Sequence, residues 1–367
     1  MQQNPLVFAP VKDILVIQLG DIGDVVLTLP CIRALKETYP DARVHAAVWD
    51  KASEIVADCR WVDGVIPVRR TRGAVIARLL QQAAFLRDIR KRRIDLAIDF
   101  RTGTRGAVLA GLSGARWRIG FLARDDPFWR NPMFTHLAAP AQAPGDHMVD
   151  FHLSLLSTYD IRTPHRWPEM TPPPQRVDAV DALLRHAGVP PDRRLVVLQP
   201  FSLWRYKEWA QERYAELVRR TVRDHGVVVV VTGGPGERDR AADLAADLAA
   251  DCGEDVFNLA ERTSIGEYAA LLARADLFIG VDSAGMHLAA AVGTPTVLIF
   301  GPSSDADWAP RGTIHRVVRA GWDCEPCFDK GCANSGRSRC LEALDVASVA
   351  DAVQASLGAF HRTRTQN

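Results

Sequence analysis

The sequence predicts an α/β protein made of two parallel-sheet domains. Short apolar runs alternate with segments of helical apolar spacing between Ile14 and Phe100, a pattern typical of parallel strands covered by helices. Five prolines then fall within residues 162–174, where they block helix formation and indicate a linker. The alternation restarts at Leu195, so we expect a second domain of the same kind.

The first domain follows from its apolar runs, each short enough to be a buried strand. The first of these runs ends at Gly20, which predicts a strand that feeds a glycine turn. The predicted strands are Ile14–Leu19, Arg43–Val48, Gly64–Val68 and Leu96–Phe100, and the predicted helices are Val25–Thr38 and Arg78–Arg93.

The second domain repeats the pattern after the linker. Its predicted strands are Leu195–Gln199, Val227–Thr232, Leu277–Val281 and Thr296–Phe300, and its helices are Glu208–His225, Asp239–Ala250 and Val346–Leu357. We therefore expect domains at 1–172 and 173–345, with 346–367 as a closing helix and tail. Two such halves would face a central cleft, and ligands of these sheets bind at the carboxyl ends of the strands.

Composition indicates an ordinary globular protein of 367 residues, 47% hydrophobic and 24% charged. No apolar run approaches the roughly 18 residues that span a bilayer, and residues 1–13 lack the pattern of a secretory signal. We therefore expect a cytoplasmic protein, which could still sit against a membrane surface. Residues 1–120 carry 19 basic and 12 acidic side chains although the whole chain has a net charge of +1, which favours an anionic partner for the first half or a solvated basic surface.

The first motif is GDIGDV at 20–25, which follows a strand and opens a helix. It lacks the G-x-G-x-x-G fingerprint of dinucleotide-binding domains. It offers instead a carboxylate, Asp24, at a helix N-terminus, and a carboxylate facing a substrate hydroxyl can act as a general base. The alternative is that Asp21 or Asp24 only caps the helix.

The second motif is the loop QPFSLWRYKEW at 199–209, which is rich in hydroxyl and cationic groups. Lys207 stands near the start of the following helix, where it could neutralise a phosphate together with Ser202 and free backbone amides. The alternative is a surface loop whose aromatic side chains pack on the domain.

The third motif is TGGPGERD at 232–239, again between a strand and a helix. Glu237 could accept hydrogen bonds from the diol of a ribose. It could equally do no more than complement the dipole of the helix that follows.

The fourth motif, IGVDSAGMHLAAAVGTP at 279–295, is the most specific. Asp282 and Ser283 would cap a helix, so the amides of Ser283, Ala284 and Gly285 would form a cradle for an anion. His287 lies one turn further along and would flank the same site. A histidine with a packing role is the alternative, which the full motif disfavours.

These motifs, in this order, resemble glycosyltransferase family nine, the lipopolysaccharide core heptosyltransferases. The matching strings are LVIQLGDIGDVVLTLPCIRALKETYPDARV, FSLWRYKEW, TGGPGERD and FIGVDSAGMHLAAAVGTPTVLIFGPSS, and they span nearly the whole chain. Within the family the chain is most similar to the third heptosyltransferase subgroup, through Phe128-Trp129-Arg130, Phe134-Thr135-His136 and the later GVDSAGMH.

The resemblance implies a GT-B fold of two Rossmann-like domains, the N-terminal one binding the acceptor and the C-terminal one the nucleotide sugar. It implies inverting transfer of heptose from ADP-L-glycero-D-manno-heptose without a catalytic cofactor or metal. Carried over by position, Asp24 is the general base and Lys207 stabilises the leaving ADP. The same transfer assigns donor contacts to Ser202, Lys207, Glu237, Asp282, Ser283, Ala284, Gly285 and His287.

The implied acceptor is the lipopolysaccharide core at the inner membrane surface, which would explain the basic first half of the chain. Arg101 and Arg105 follow a strand end, so we expect them to contact this acidic oligosaccharide. Peripheral attachment to the inner face of the cytoplasmic membrane would fit such an acceptor, and no nucleic-acid partner is expected.

Four cysteines, Cys324, Cys327, Cys332 and Cys340, form the pattern C-x2-C-x4-C-x7-C. In a cytosolic chain this spacing is more typical of a metal site than of a disulfide framework, and four thiolates would suit structural zinc. A structural loop without metal is the alternative.

Three other functions remain compatible with the sequence. A family transferase could use another nucleotide sugar or another glycan acceptor. A relative could bind the nucleotide sugar without turnover. A nucleotide-binding or dehydrogenase-like protein on paired Rossmann domains is disfavoured because the dinucleotide fingerprint is missing.

Overall fold

The computed structural model describes residues 8–69, 74–124, 127–140, 143 and 145–364. The chain divides into two compact units between Pro168 and Glu169, within the segment whose prolines predicted a linker. Both units are α/β, as the sequence predicts, and each contains one six-stranded parallel sheet.

The N-terminal unit has the strand order β3-β2-β1-β4-β5-β6, so the chain reverses direction across the sheet after β3. Its strands are Asp13–Gln18 (β1), Arg43–Trp49 (β2), Gly64–Val68 (β3), Leu96–Asp99 (β4), Trp117–Phe121 (β5) and His136–Ala138 (β6). Its helices are Ile22–Thr38 (α1), Ser53–Ala57 (α2), Val75–Lys91 (α3), Thr104–Leu112 (α4) and Met148–Ser157 (α5).

The strand register brings two loops of the N-terminal unit side by side. β1 is fully buried, and its Ile17 pairs with Asp99, the last residue of β4. Because parallel strands end at the same edge of a sheet, the loop that enters α1 and the loop that enters α4 are neighbours. Side chains from these two loops can therefore contact each other.

The C-terminal unit has the equivalent order β12-β11-β10-β7-β8-β9. Its strands are Leu195–Gln199 (β7), Val228–Val231 (β8), Val256–Asn258 (β9), Leu277–Val281 (β10), Thr296–Ile299 (β11) and His315–Val318 (β12). Its helices are Pro174–Ala187 (α6), Gln211–His225 (α7), Arg238–Cys252 (α8), Ile265–Arg274 (α9), Ala284–Ala291 (α10), Asp305–Trp308 (α11), Arg339–Ala343 (α12) and Val346–Arg364 (α13).

Two helices of the C-terminal unit differ from the simplest reading of the sequence. α6 begins at Pro174, the last proline of the predicted linker. Proline is accepted at the first position of a helix because the backbone N–H at that position has no partner within the helix. α13 buries Val349, Val353 and Leu357 in the same apolar core as α7. The final helix is therefore part of the core of this unit.

Candidate functional site

Asp24 lies in the first turn of α1, and its Oδ2 accepts two hydrogen bonds. One comes from the backbone N–H of Asp21 at 2.9 Å and the other from Nη1 of Arg101 at 2.8 Å. The carboxylate therefore caps the helix and also pairs with a cation from the neighbouring loop. Both bonds end on Oδ2, so Oδ1 has no hydrogen-bond partner within the described parts of the chain.

Arg101 is held in place through its backbone. The buried Arg130 donates from Nη2 to the carbonyl oxygen of Arg101 at 3.0 Å, and the Arg101 N–H donates to Oδ1 of Asp99 at 3.2 Å. The guanidinium of Arg105 stacks over the ring of Trp49 at 5.3 Å. The structure thus brings the predicted base and the first predicted acceptor arginine into direct contact, with Arg105 on the adjoining helix.

Beneath Asp24 lies a buried polar group formed by Thr28, Gln18 and His152. Thr28 Oγ1 donates to the carbonyl oxygen of Asp24 at 2.8 Å and accepts from Nε2 of Gln18 at 2.8 Å. Nδ1 of His152 is 3.4 Å from the same hydroxyl. Burial lowers the pKa of His152 to about 4, although the nearby Asp24 acts in the opposite direction. A neutral imidazole therefore supports the first turn of α1.

In the C-terminal unit, Lys207 and Asp282 form an ion pair. Nζ of Lys207 donates to Oδ2 of Asp282 at 2.6 Å, and Asp282 is 8% exposed. Lys207 comes from the loop after β7 and Asp282 from the end of β10, which are adjacent strands. Two residues predicted to contact different parts of a donor are therefore in contact with each other.

The N-terminus of α10 is packed closely against the end of β7. A Cβ atom on Gly285 would lie 1.9 Å from Oε1 of Gln199, and that oxygen accepts a hydrogen bond from the hydroxyl of Tyr268 at 2.5 Å. Ala284 begins the helix, and Ser283 is its N-cap. The Ser283 hydroxyl is buried and has no partner among the described residues, so its hydrogen-bonding capacity is unused at this helix end.

Two other predicted donor residues, Ser202 and Glu237, lie in the segments that follow β7 and β8. The Ser202 N–H donates to Oε1 of Glu208 at 2.9 Å, and Glu208 pairs with Arg240. Oε2 of Glu237 accepts the N–H of Gly234 at 2.6 Å, and burial raises the pKa of the Glu237 carboxyl. Glu237 thus braces its own loop.

His287 lies on α10 and is buried. Its ring centroid is 6.3 Å from that of Trp308, in an edge-on arrangement. This contact is the packing role that the sequence left open for the residue, and it does not test a role in donor binding.

Comparison with known proteins identifies the family. The family model described as Glycosyltransferase family 9 (heptosyltransferase) matches residues 82–337, more than half of the chain. The chain belongs to glycosyltransferase family 9.

Individual relatives of this family 9 glycosyltransferase agree with the predicted subgroup. The chain is 30% identical to lipopolysaccharide heptosyltransferase 3 of Escherichia coli over 290 residues, which cover 78% of the chain and 83% of that relative. The resemblance to the third subgroup is thereby confirmed, as is the prediction of an enzyme of the heptosyltransferase kind.

Solved structures confirm the GT-B fold of the family 9 chain. It superimposes on E. coli ADP-heptose lipopolysaccharide heptosyltransferase II with a TM-score of 0.78 at 20% identity, covering 95% of this chain and 99% of that one. E. coli heptosyltransferase WaaC, solved with ADP-2-deoxy-2-fluoro heptose, gives a TM-score of 0.70 at 21% identity, with coverage of 94% and 99%. Within the described parts of the family 9 chain, no helix combines the length and apolarity needed to cross a bilayer.

The zinc prediction for this family 9 chain needs correction. Cys340 is 5% exposed and packs in the core from α12, whereas Cys324 is exposed. Sγ of Cys332 accepts the N–H of Arg339 at 3.4 Å, and Cys327 is half-buried. Over the residues that the structure covers, no three His, Cys, Asp or Glu side chains are grouped to hold a metal. The cysteine spacing therefore does not produce a ligand set.

Two polar residues of the site in this family 9 chain were absent from the sequence prediction. Asp99 ends a strand two positions before Arg101, and a carboxylate inside an otherwise apolar strand was the signal that could have revealed it. Tyr268 lies on α9 and reaches Gln199 from a distant part of the sequence, for which no local pattern exists.

Proposed function

We propose that this enzyme transfers heptose from ADP-L-glycero-D-manno-heptose to the lipopolysaccharide inner core, with inversion and without a catalytic metal. The observation that carries the proposal is the Lys207–Asp282 ion pair beside the N-terminus of α10. A cation and a helix N-terminus at one point match the diphosphate that leaves with ADP, and the carboxylate beside them matches the sugar hydroxyls of such a donor.

In the donor half of the proposed reaction, Lys207 turns from Asp282 to the diphosphate. The amides of Ser283, Ala284 and Gly285 and the Ser283 hydroxyl bind its oxygens, with Ser202 and His287 beside them. Asp282, released from the ion pair, accepts hydrogen bonds from the heptose, and Glu237 accepts them from the ribose. These groups stabilise the negative charge that grows on ADP as the glycosidic bond breaks.

In the acceptor half, Asp24 takes the proton of the attacking hydroxyl. The freed oxygen attacks the anomeric carbon from the face opposite ADP, so the C–O bond to ADP breaks as the new one forms, and the configuration inverts. Asp24 leaves the step protonated, and ADP leaves with the bonding electrons. Arg101 and Arg105 are proposed to hold the acidic acceptor next to this carboxylate.

The donor and acceptor assignments draw on the relatives. The E. coli relative is a lipopolysaccharide heptosyltransferase, and the WaaC structure contains an ADP-heptose analogue. A membrane-borne acceptor would place the enzyme on the cytoplasmic face of the inner membrane, as a peripheral protein. A family member with another nucleotide sugar would use the same Lys207 and α10 groups, so the nucleotide has to be tested directly.

The test is calorimetric titration of the purified protein with ADP, GDP and UDP in the presence of EDTA. We expect ADP to bind most tightly and without a divalent ion. A preference for GDP or UDP, or a requirement for a metal, would refute the ADP-heptose assignment. Transfer from ADP-heptose to a heptose-deficient core acceptor, followed by the anomeric configuration of the product, tests the second half of the proposal.

A further inference from the structure

A small pocket lies beside Asp24 in the N-terminal unit, at the start of α4. We call it the α4 pocket; it has a volume of about 240 Å³ and is lined by Leu19 and by Asp99, Arg101, Gly103, Thr104, Arg105 and Gly106. This volume is below the range of about 300–1,000 Å³ for drug-sized ligands, so the pocket suits one monosaccharide unit. Arg101 lines the pocket and also donates a hydrogen bond to Asp24, the predicted base, so it lies between the pocket and that carboxylate.

Asp99 gives the α4 pocket an unused hydrogen-bonding group. The residue is 0% exposed; its Oδ1 accepts the N–H of Arg101, and its Oδ2 has no partner within the described residues. A Cβ atom on Gly106 would lie 2.2 Å from that Oδ2, so only glycine at this position accommodates the carboxyl group. A buried polar atom that lacks a partner is rare in native proteins and calls for an explanation, and a bound ligand supplies one.

The other side of the pocket attracts an anion. α4 begins at Thr104 behind Gly103, an N-cap residue that has no side chain to occupy the first amides. These amides and the exposed guanidinium groups of Arg101 and Arg105 surround the same space. Helix N-termini and arginines together favour phosphate and carboxylate groups.

We propose that the α4 pocket binds an acidic sugar unit of the acceptor, with a sugar hydroxyl on Asp99 and the phosphate or carboxylate on Arg105 and the α4 N-terminus. This inference rests on the proposed function only in calling the ligand part of the acceptor. A hydroxyl is the fitting partner because it donates to a carboxylate and accepts from a carboxylic acid. Burial raises the pKa of Asp99 to about 7, against the influence of Arg101 and Arg130, so both forms are present at neutral pH.

The position of Arg101 between Asp99 and Asp24 gives these two carboxyl groups different roles. Arg101 bonds Asp99 through its backbone and Asp24 through its side chain. A sugar in the α4 pocket is therefore the unit next to the attacking one, and Asp24 acts on a hydroxyl beyond Arg101. In this arrangement Asp99 selects the acceptor, and it takes no proton in the reaction.

The first experiment follows backbone amide signals of the full chain by NMR during titration with four probes: glucose 6-phosphate, glucuronate, glucose and inorganic phosphate. We expect the amides of Gly103, Thr104 and Gly106 to shift, with either acidic sugar binding about tenfold more tightly than glucose or phosphate. Comparison of the two acidic sugars distinguishes a phosphate from a carboxylate ligand. Unchanged amides with all four probes would overturn the proposal, and equal affinity for phosphate and glucose 6-phosphate would remove Asp99 from it.

The second experiment uses three variants in the same titration. Asp99→Leu, which removes the hydrogen bond at similar volume, should bind glucose 6-phosphate no better than wild type binds phosphate. Arg105→Met should weaken both ligands. Arg116→Met is the matched control, since Arg116 also stacks on a tryptophan ring, Trp117 at 4.6 Å, but does not line the pocket. Wild-type affinity in a folded Asp99→Leu chain would overturn the proposal; if that chain does not fold, the wild-type amide titration decides.

Failure of this inference and failure of the proposed function have different signatures. If the α4 amides respond to acidic sugars but no heptose transfer occurs, the pocket stands and the proposed reaction falls. If transfer occurs and the KM for the acceptor is the same in Asp99→Leu as in wild type, the reaction stands and the pocket assignment falls.

Discussion

Arg101 reaches across from the loop after β4 and donates a hydrogen bond from Nη1 to Oδ2 of Asp24 at 2.8 Å. A cation from the loop after β4 thus holds a carboxylate in the first turn of α1, because β1 and β4 are neighbours in the sheet. The Arg101 side chain is 45% exposed and that of Asp24 16% exposed, so the pair contributes at most about 1 kcal/mol to stability. Its position beside the α4 pocket fits the orientation of a reacting group better than a role in folding.

Replacement of Asp24 by asparagine tests the assigned base. We expect kcat to fall about 10²- to 10⁴-fold, because the amide cannot take a proton, while the Kd for ADP stays at the wild-type value. Steady-state transfer assays and calorimetry measure the two quantities. Asp21→Asn, on the same loop, is the control and should change kcat little; an Asp24→Asn enzyme with normal turnover would show that the carboxylate only caps α1.

Replacement of Lys207 by methionine should weaken ADP binding by about 10- to 100-fold, since a charge-assisted hydrogen bond to phosphate is lost. The substitution also leaves Asp282 buried without its cation, which destabilises the unit. The double variant Lys207→Met, Asp282→Asn separates the two effects, because it should regain stability and not ADP affinity. Lys330→Met, at an exposed lysine of the same unit, should bind ADP normally. If Lys207→Met alone binds ADP as wild type does, Lys207 has no diphosphate role.

Alanine at Gly285 should disturb the donor groups through packing. Its Cβ would lie 1.9 Å from Oε1 of Gln199, so the Gln199 amide must move away and give up its hydrogen bond from Tyr268, at a cost of about 1–3 kcal/mol. We expect a lower midpoint of urea unfolding and weaker ADP binding in the same variant. Adding Gln199→Ala removes the blocking oxygen and should return part of the stability, whereas a Gly285→Ala chain as stable as wild type would contradict the close packing.

The lowered pKa of His152 predicts that the folded chain loses stability in acid. An unfolded histidine titrates near 6.5, while the folded pKa is about 4, so the unfolded chain binds more protons between these values. Stability is therefore fully present above pH 6.5 and is lost as the pH falls toward 4, by about 3 kcal/mol. Urea unfolding at pH 7 and pH 4.5 should show a smaller loss in His152→Gln than in wild type. Equal losses would exclude His152 as the cause, since Asp99 and His315 are the same in both chains.

The parts of the structure that the sequence predicts are those with local signals. Strands such as Leu195–Gln199 and Leu277–Val281 have the predicted bounds because each is a short, continuously apolar run. α9 and β9 were not predicted. α9 has the local signals of a helix, a capping box from Ser264 to Glu267 and an amphipathic face, so it was detectable from the sequence and was missed. β9 has only three residues, a length at which sequence signals are weak.

The candidate site shows the same limit. The motif residues Lys207 and Asp282 could be named from their strand ends, but their mutual contact spans 75 residues of sequence. The link from Gln199, at the end of β7, to Tyr268, on α9, spans 69 residues. Cys340 shows the reverse error: its spacing from the other cysteines suggested a ligand, and its burial with α12 makes it part of the core.

Asp99 has a consequence for how this chain would respond to selection in the laboratory. Its folded pKa of about 7 exceeds the ordinary value of 3.8, so the chain loses stability as the pH rises between the two, by about 4 kcal/mol in total. A library screened for heat resistance at pH 8 should therefore enrich Asp99→Asn, which carries no charge to bury. If the α4 pocket binds the acceptor, a screen of the same library for glycosyl transfer should remove apolar replacements such as Asp99→Leu.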